Sequence, residues 1–142
     1  KNVLMCGTGT IKRGLQGIRD SYSMAFKAMN VGSVLYRDRM IYKYKDLQMF
    51  CELEQVLCSA QENVFTDILK SVHNKELTET LYVYYECGNS MELAAQKMYT
   101  HKNTIKYRLN RIQELTGMDM KRPDDNFRLY LAFLAHKFIE GK

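Results

Sequence analysis

The sequence has one proline, no long apolar run and no paired-cysteine motif. Each scarcity excludes something. A membrane-spanning helix needs about 18 uncharged apolar residues, and no stretch comes near that. Lys1 to Cys6 lack an apolar h-region, so no signal peptide is expected. The first residue is Lys rather than Met, which reads as a piece of something longer. Cys6, Cys51, Cys58 and Cys87 include no C-x-x-C pair, and no histidine stands at zinc-ligand spacing from them. They read as buried free thiols suited to a reducing cytoplasm, with Cys51 and Cys58 on one helical face. No metal or other cofactor is expected. His73, His101 and His136 are far apart, and no nucleophile has an evident base partner, so no enzyme activity is expected.

What is present is a normal core and an uneven charge. The chain has 142 residues, 46% of them apolar and 11% aromatic, which argues against disorder. Its formal net charge of +5 is the sum of unlike parts. Residues 1–45 hold nine basic and two acidic side chains, and residues 46–75 hold two basic and five acidic. Residues 76–142 are nearly neutral, yet 97–122 carries seven basic groups (Lys97, Lys102, Lys106, Arg108, Arg111, Lys121, Arg122) against Glu114 and Asp119. A basic helix is a solvated face unless its neighbours supply the geometry for nucleic acid.

The pattern predicts a mainly α fold: a multi-helix domain containing a helix-turn-helix, preceded by a short α/β remnant of strand, helix and strand. Val3 to Cys6 reads as a buried strand ended by Gly7-Thr8-Gly9. Ile18 to Asn30 reads as a helix with Gly32 as its stop signal, Ile18, Tyr22, Ala25 and Met29 forming one stripe. Val34 to Tyr36 and Met40 to Tyr42 are β-prone. From Asp46, a plausible N-cap, the period becomes helical, and a domain boundary is placed near residue 45. Helices are expected at about Leu47 to Leu57, Gln61 to Val72 and Lys75 to Cys87, the last ended by Gly88.

The informative stretch follows at about 90–117. A short helix starts after Asn89 or Ser90, Asn89 with Glu92 forming a capping-box variant. A turn, Tyr99 to His101, leads into a longer helix over 102–116 that ends at Gly117. Two helices joined so tightly make a helix-turn-helix, with Ala95 the small residue at the crossing and Ile105 packing back on it. The turn lacks the usual glycine, and Tyr99 stands there.

At about 100° per residue, Ile105, Leu109 and Ile112 share a narrow core-facing arc. Asn103, Tyr107 and Asn110 point away from it, flanked by Lys106 and Arg111, a face read as free of carboxylates. Amides read adenine, Arg and Lys read guanine, and Lys and Tyr also reach phosphates. Arg108 lies beside the apolar arc, where a partly buried salt bridge competes with a phosphate contact. Thr104 suits backbone or phosphate, and His101 suits a cap or a contact. The candidate DNA-binding residues are therefore His101, Lys102, Asn103, Thr104, Lys106, Tyr107, Arg108, Asn110 and Arg111.

His101 to Leu109, with Arg111-Ile112 and Leu115-Thr116-Gly117, resembles the H-R-N-T-L-x-Y-R-L-x-R-I-x-x-L-T-G signature of the PucR/CdaR family. These are bacterial transcription regulators of purine catabolism and sugar-diacid use. Lys102 and Ile105 replace the usual Arg and Leu. Glu76 to Leu81 and Asn89 to Ala95 resemble that family's lead-in and Asn126 to Leu134 its closing helix, so the likeness covers about 42–140. The spacing is also similar to that of Fis-type nucleoid proteins. Val3 to Gly9 and Ser21 to Ala28 resemble the last strand and helix of a degenerate GGDEF-like domain. The resemblance implies that 1–45 closes such a domain and that 46–142 is a helical DNA-binding domain.

The leading reading is sequence-specific binding of double-stranded DNA, with helix 102–116 in the major groove and Met91 to Met98 across the backbone. The alternative is a ligand- or nucleotide-sensing or dimerisation module without direct DNA contact. It rests on the basic first 45 residues and on Gly7-Thr8-Gly9, a short motif for a phosphate cradle. Phe127, Tyr130, Leu131, Leu134 and Phe138 read as a core stripe. Leu129 and Phe133 point elsewhere and suit a dimer seam or a contact with a missing domain. A homodimer is expected, since paired half-sites about 34 Å apart multiply affinity. An upstream sensor domain of the same full-length protein is the other expected partner, with no membrane contact.

Overall fold

Gly7 sits where a side chain cannot. A Cβ there would lie 2.1 Å from the Ala25 carbonyl oxygen, and one on Gly9 would lie 2.0 Å from that of Ser21. Small residues thus let the first strand press against the first helix. The computed structural model describes residues 4–59 and 64–140. Its elements are β1 (Cys6–Thr8), α1 (Gly14–Leu35), β2 (Ile41–Lys43), α2 (Tyr44–Ser59), α3 (Val64–Lys70), α4 (Lys75–Glu86), α5 (Met91–Lys97), α6 (Lys102–Thr116) and α7 (Pro123–Glu140). The fold is mainly α, with one small sheet. The chain forms two compact units, 4–59 with 137–140 and 64–136 among the described residues.

In the first unit β1 and β2 run parallel with Cys6 opposite Ile41, Gly7 opposite Tyr42 and Thr8 opposite Lys43. Helix α1 is the crossover that a parallel pair requires. Tyr42 is buried, and its hydroxyl donates to the Arg39 carbonyl at 2.6 Å, with the Tyr36 carbonyl 3.0 Å away. Its ring occupies the space over Gly32, where a Cβ would come within 2.2 Å. Gly32 is therefore a packing residue inside α1 and not its stop, and Val34 and Leu35 belong to the helix instead of a strand. The strand lies at Cys6–Thr8 and so includes Gly7, while Leu4 and Met5 are exposed and Val3 lies outside the described residues. The core face of α1 is Gly17, Ala28, Val31 and Gly32, and its large apolar side chains Leu15, Ile18, Tyr22 and Phe26 form an exposed stripe. Helix α2 packs on α1 and begins directly after β2, so Asp46 stands in its first turn and not at its cap. The change of charge and period at residue 45 falls inside this helix. Of the four free cysteines only Cys51 is buried, Cys6 being exposed and Cys58 and Cys87 half-buried.

In the second unit, the helix expected from Gln61 to Val72 is observed as Val64–Lys70, Gln61 lying outside the described residues. Asn74 caps α4, its side chain accepting from the backbone N–H groups of Glu76 (2.9 Å) and Leu77. Helices α4, α5 and α6 pack on one another. The buried face of α7 is wider than expected. Leu134 and Phe138 of the expected stripe are buried and Phe127 is exposed, and Leu129 and Phe133 are buried as well. The cause is an aromatic cluster in which Phe133 meets Tyr82, Tyr85 and Tyr130 at centroid distances of 5.3, 5.5 and 5.7 Å. Leu129 and Phe133 are thus core, not a seam. Pro123 is the first residue of α7, where its fixed φ suits a helix start. Among the described residues no helix is long and apolar enough to cross a membrane.

Two tests follow. An Ala for Gly in a helix gains up to about 1 kcal/mol. Gly32→Ala should instead lose about 1–3 kcal/mol in urea denaturation, because the Tyr42 ring must move. Burial pushes the Tyr85 phenol above the ordinary tyrosine range, and its hydroxyl donates to Asn126 Oδ1 at 2.9 Å. A raised folded-state pKa leaves stability whole below about pH 10 and removes it as pH rises further. Denaturation at increasing alkaline pH should show that decline, reduced in Tyr85→Phe.

Candidate nucleic-acid interface

The lead-in to α5 fixes where the helix pair starts. Gly88 and Asn89 take left-handed φ of 63° and 64°, the second a conformation that Asn tolerates better than most residues. Ser90, rather than Asn89, is the cap, and its hydroxyl accepts from Leu93 N–H at 3.3 Å. Helix α5 is two turns long and buries Ala94 and Ala95. Met98 N–H returns to the Ala94 carbonyl and Thr100 N–H to that of Ala95, both at 2.9 Å, which closes the helix tightly. Tyr99 takes the left-handed turn at φ 51° with its side chain 98% exposed. A bulky residue there stores strain that no side-chain contact of its own repays.

His101 is the cap of α6, its Nδ1 accepting from Asn103 N–H at 3.2 Å. Gly117, at φ 70°, ends the helix, its N–H on the Gln113 carbonyl at 2.8 Å. Ile105, Leu109 and Ile112 are buried as the wheel predicts. Lys102, Asn103, Lys106, Tyr107, Asn110 and Arg111 are exposed on the same helix, and Thr104 is half-buried. Tyr107 is 68% exposed.

Arg108 turns the other way, with 16% of its side chain exposed. Its guanidinium pairs with Glu76 and donates to Thr80 Oγ1 at 3.3 Å. Thr80 is fully buried and donates in turn to the Glu76 carbonyl at 2.8 Å. Arg108 thus makes the salt bridge that was one of its two expected roles.

The face is not free of carboxylates. Glu114 is exposed and accepts from Arg111 Nη1 at 2.7 Å. Eleven residues beyond Asn103, it falls within about 20° of the same direction. Glu92, in the first turn of α5, pairs with Lys102. Its carboxyl is held below its ordinary pKa chiefly by that lysine, then by its own backbone N–H. Lys106 makes no ion pair among the described residues. Tyr99, Glu92 and Glu114 are surface residues absent from the candidate DNA-binding set. The periodicity of α6 contains Glu114, whereas sequence marks Tyr99 only as the turn residue and Glu92 only as part of a cap.

A short capped helix, a tight turn and a longer helix with one buried arc define a helix-turn-helix module of the transcription-regulator type. Residues 77–135 match the PucR C-terminal helix-turn-helix domain. Over 128 residues, 87% of the chain, it is 34% identical to the carbohydrate diacid regulator of Escherichia coli, covering 33% of that protein. Over 146 aligned residues, 98% of the chain, it is 28% identical to the purine catabolism regulatory protein of Bacillus subtilis, covering 27% of it. An uncharacterized protein of Mycobacterium tuberculosis is 38% identical over 76 residues, 52% of this chain and 18% of its own length. The chain spans a third or less of the length of these relatives. Through its helix-turn-helix domain the chain belongs to the PucR/CdaR family.

Stability separates the roles of neighbours on α6. Tyr107→Ala should change unfolding free energy by less than about 0.5 kcal/mol, as exposed substitutions do. Arg108→Ala should cost about 1–2 kcal/mol, since it removes a charged hydrogen bond to buried Thr80 while Glu76 stays mostly solvated. Urea denaturation of both variants checks the contrast.

Proposed function

We propose that the chain binds double-stranded DNA sequence-specifically as the C-terminal module of a bacterial transcription regulator of the purine-catabolism or sugar-diacid type. Helix α6 enters the major groove, and α5 lies across the backbone. The supporting observation is the pairing of faces on α6: Ile105, Leu109 and Ile112 are buried, while Asn103, Lys106, Tyr107 and Asn110 stand exposed opposite them. Asn103 and Asn110 are suited to adenine edges, Lys106 to guanine or phosphate, and Tyr107 to phosphate. His101 serves α6 as its cap and Arg108 as its tether to α4, so their part in binding is to hold the helix. The names of the relatives from Escherichia coli and Bacillus subtilis support the regulator type.

Residues 1–45 are, on the same proposal, the closing part of a GGDEF-like α/β domain, and an upstream sensor region completes the regulator. The exposed stripe of Leu15, Ile18, Tyr22 and Phe26 supports this, since parallel sheets and their helices are normally covered on both sides. The protein would act as a homodimer on paired half-sites. The space beside Gly7 and Gly9 belongs to α1, which takes the G-x-G cradle from the nucleotide-sensing alternative and leaves it the basic first 45 residues.

Fluorescence anisotropy with duplexes at several salt concentrations tests the reading. Binding should weaken steeply with salt, and Lys106→Ala should flatten the log–log slope by about 0.9 if it meets one phosphate. Tyr107→Ala should bind more weakly while melting as the wild type does. Absence of salt-sensitive binding to every duplex, including those selected from a random pool, refutes the proposal.

A further inference from the structure

Lys97 and Arg108 of the helix pair are tied to Glu86 and Glu76 of α4, and two further cations are occupied within the pair itself. Lys102 is paired with Glu92, which bridges α5 and α6, and Arg111 with Glu114, one turn along α6. All four groups are half or more exposed, so each pair can open to an incoming ligand. Glu92 is ionised at neutral pH, its charge supported by Lys102 and its own backbone N–H. We propose that Glu92 and Glu114 are specificity-determining carboxylates, which occupy Lys102 and Arg111 in the free protein and so penalise duplexes that offer only phosphate. The inference rests on reading α6 as the major-groove helix.

The physical case is an exchange. A phosphate that takes Lys102 from Glu92 replaces one anionic partner by another and then faces the released carboxylate. Its generic Coulomb gain is therefore nearly cancelled. A correct base sequence offers more: a bidentate hydrogen-bonded fork on guanine for Arg111, and amide contacts for Asn103 and Asn110 on either side. The carboxylates thus lower non-specific affinity more than specific affinity. Lys106, without an ion pair among the described residues, remains to attract the backbone.

The experiment uses the 142-residue chain with Glu92→Gln, Glu114→Gln and the double substitution. Anisotropy titrations on a mixed-sequence duplex are run across a salt series, with melting as a control on folding. Each substitution should tighten mixed-sequence binding about two- to fivefold, the scale of an exposed ion pair. The log–log salt slope should steepen by up to about 0.9 for each cation released. The ratio of selected-duplex to mixed-sequence affinity should fall. Unchanged or weaker mixed-sequence binding in all three variants would overturn the proposal. If Glu114 instead accepts from a cytosine amine, Glu114→Gln will weaken only selected duplexes, which overturns it for that residue. Should the wild type bind no duplex at all, the DNA reading itself fails, a different result from either.

Discussion

The burial of three side chains on α6 controls the rest of the helix pair. Ile105 and Ile112 are fully buried and Leu109 nearly so. Each such side chain contributes about 1.5–3 kcal/mol on leaving water. Spaced four and three residues apart, they fix the rotation of α6 about its axis. A helix is periodic, so fixing one face fixes the opposite one. The exposure of Asn103, Tyr107 and Asn110 is therefore a consequence of packing and does not require those residues to make any contact of their own. The same burial offsets the left-handed turn at Tyr99, whose backbone costs about 1–2 kcal/mol.

Rotation alone does not set the tilt of α6 against α4. Arg108 adds a polar link between the two helices, through a chain of local causes. Asn74 caps α4 and so fixes its first turn, which carries Glu76. Glu76 and the buried hydroxyl of Thr80, one turn apart, present a carboxylate and an oxygen to one guanidinium. A planar fork with several donors suits that two-point contact, and a lysine would satisfy only part of it. The three residues join the start of one helix to the middle of another, and α5 is enclosed between them in sequence and packed on both.

Local periodicity made the helix pair legible from sequence. The buried arc, the outward face, the short α5 and the stop at Gly117 each depend on residues within a turn or two of one another. Long-range partners were not legible in the same way. That α7 buries Leu129 and Phe133 as well as Leu134 depends on Tyr82 and Tyr85, more than 40 residues away, because their rings receive Phe133. An apolar stripe on a wheel says that a helix has a core face, but how wide that face is depends on its neighbours. Glu114 is a different case. Its direction follows from the same wheel that places Asn103.

Glycine shows most clearly why spacing is an incomplete guide. Gly117 terminates α6 because it takes a left-handed backbone that glycine adopts without a Cβ penalty, which fits the familiar stop-signal logic. Gly32 has an ordinary backbone and a ring of Tyr42 against it, so the same letter continues a helix through a close contact. Gly7 and Gly9 belong with Gly32, since the backbone of α1 fills the volume a phosphate-cradling loop would keep for its ligand. A G-x-G read as a loop and a G-x-G read as a packing groove are identical in sequence, and only the partner decides. Here the partner is a helix whose large apolar residues, Leu15, Ile18, Tyr22 and Phe26, face the other way. The small side of α1 holds β1 and β2, and the large side is left exposed. The first unit thus presents an apolar helix face to solvent, while α6 presents amide, phenol and cationic groups in the second.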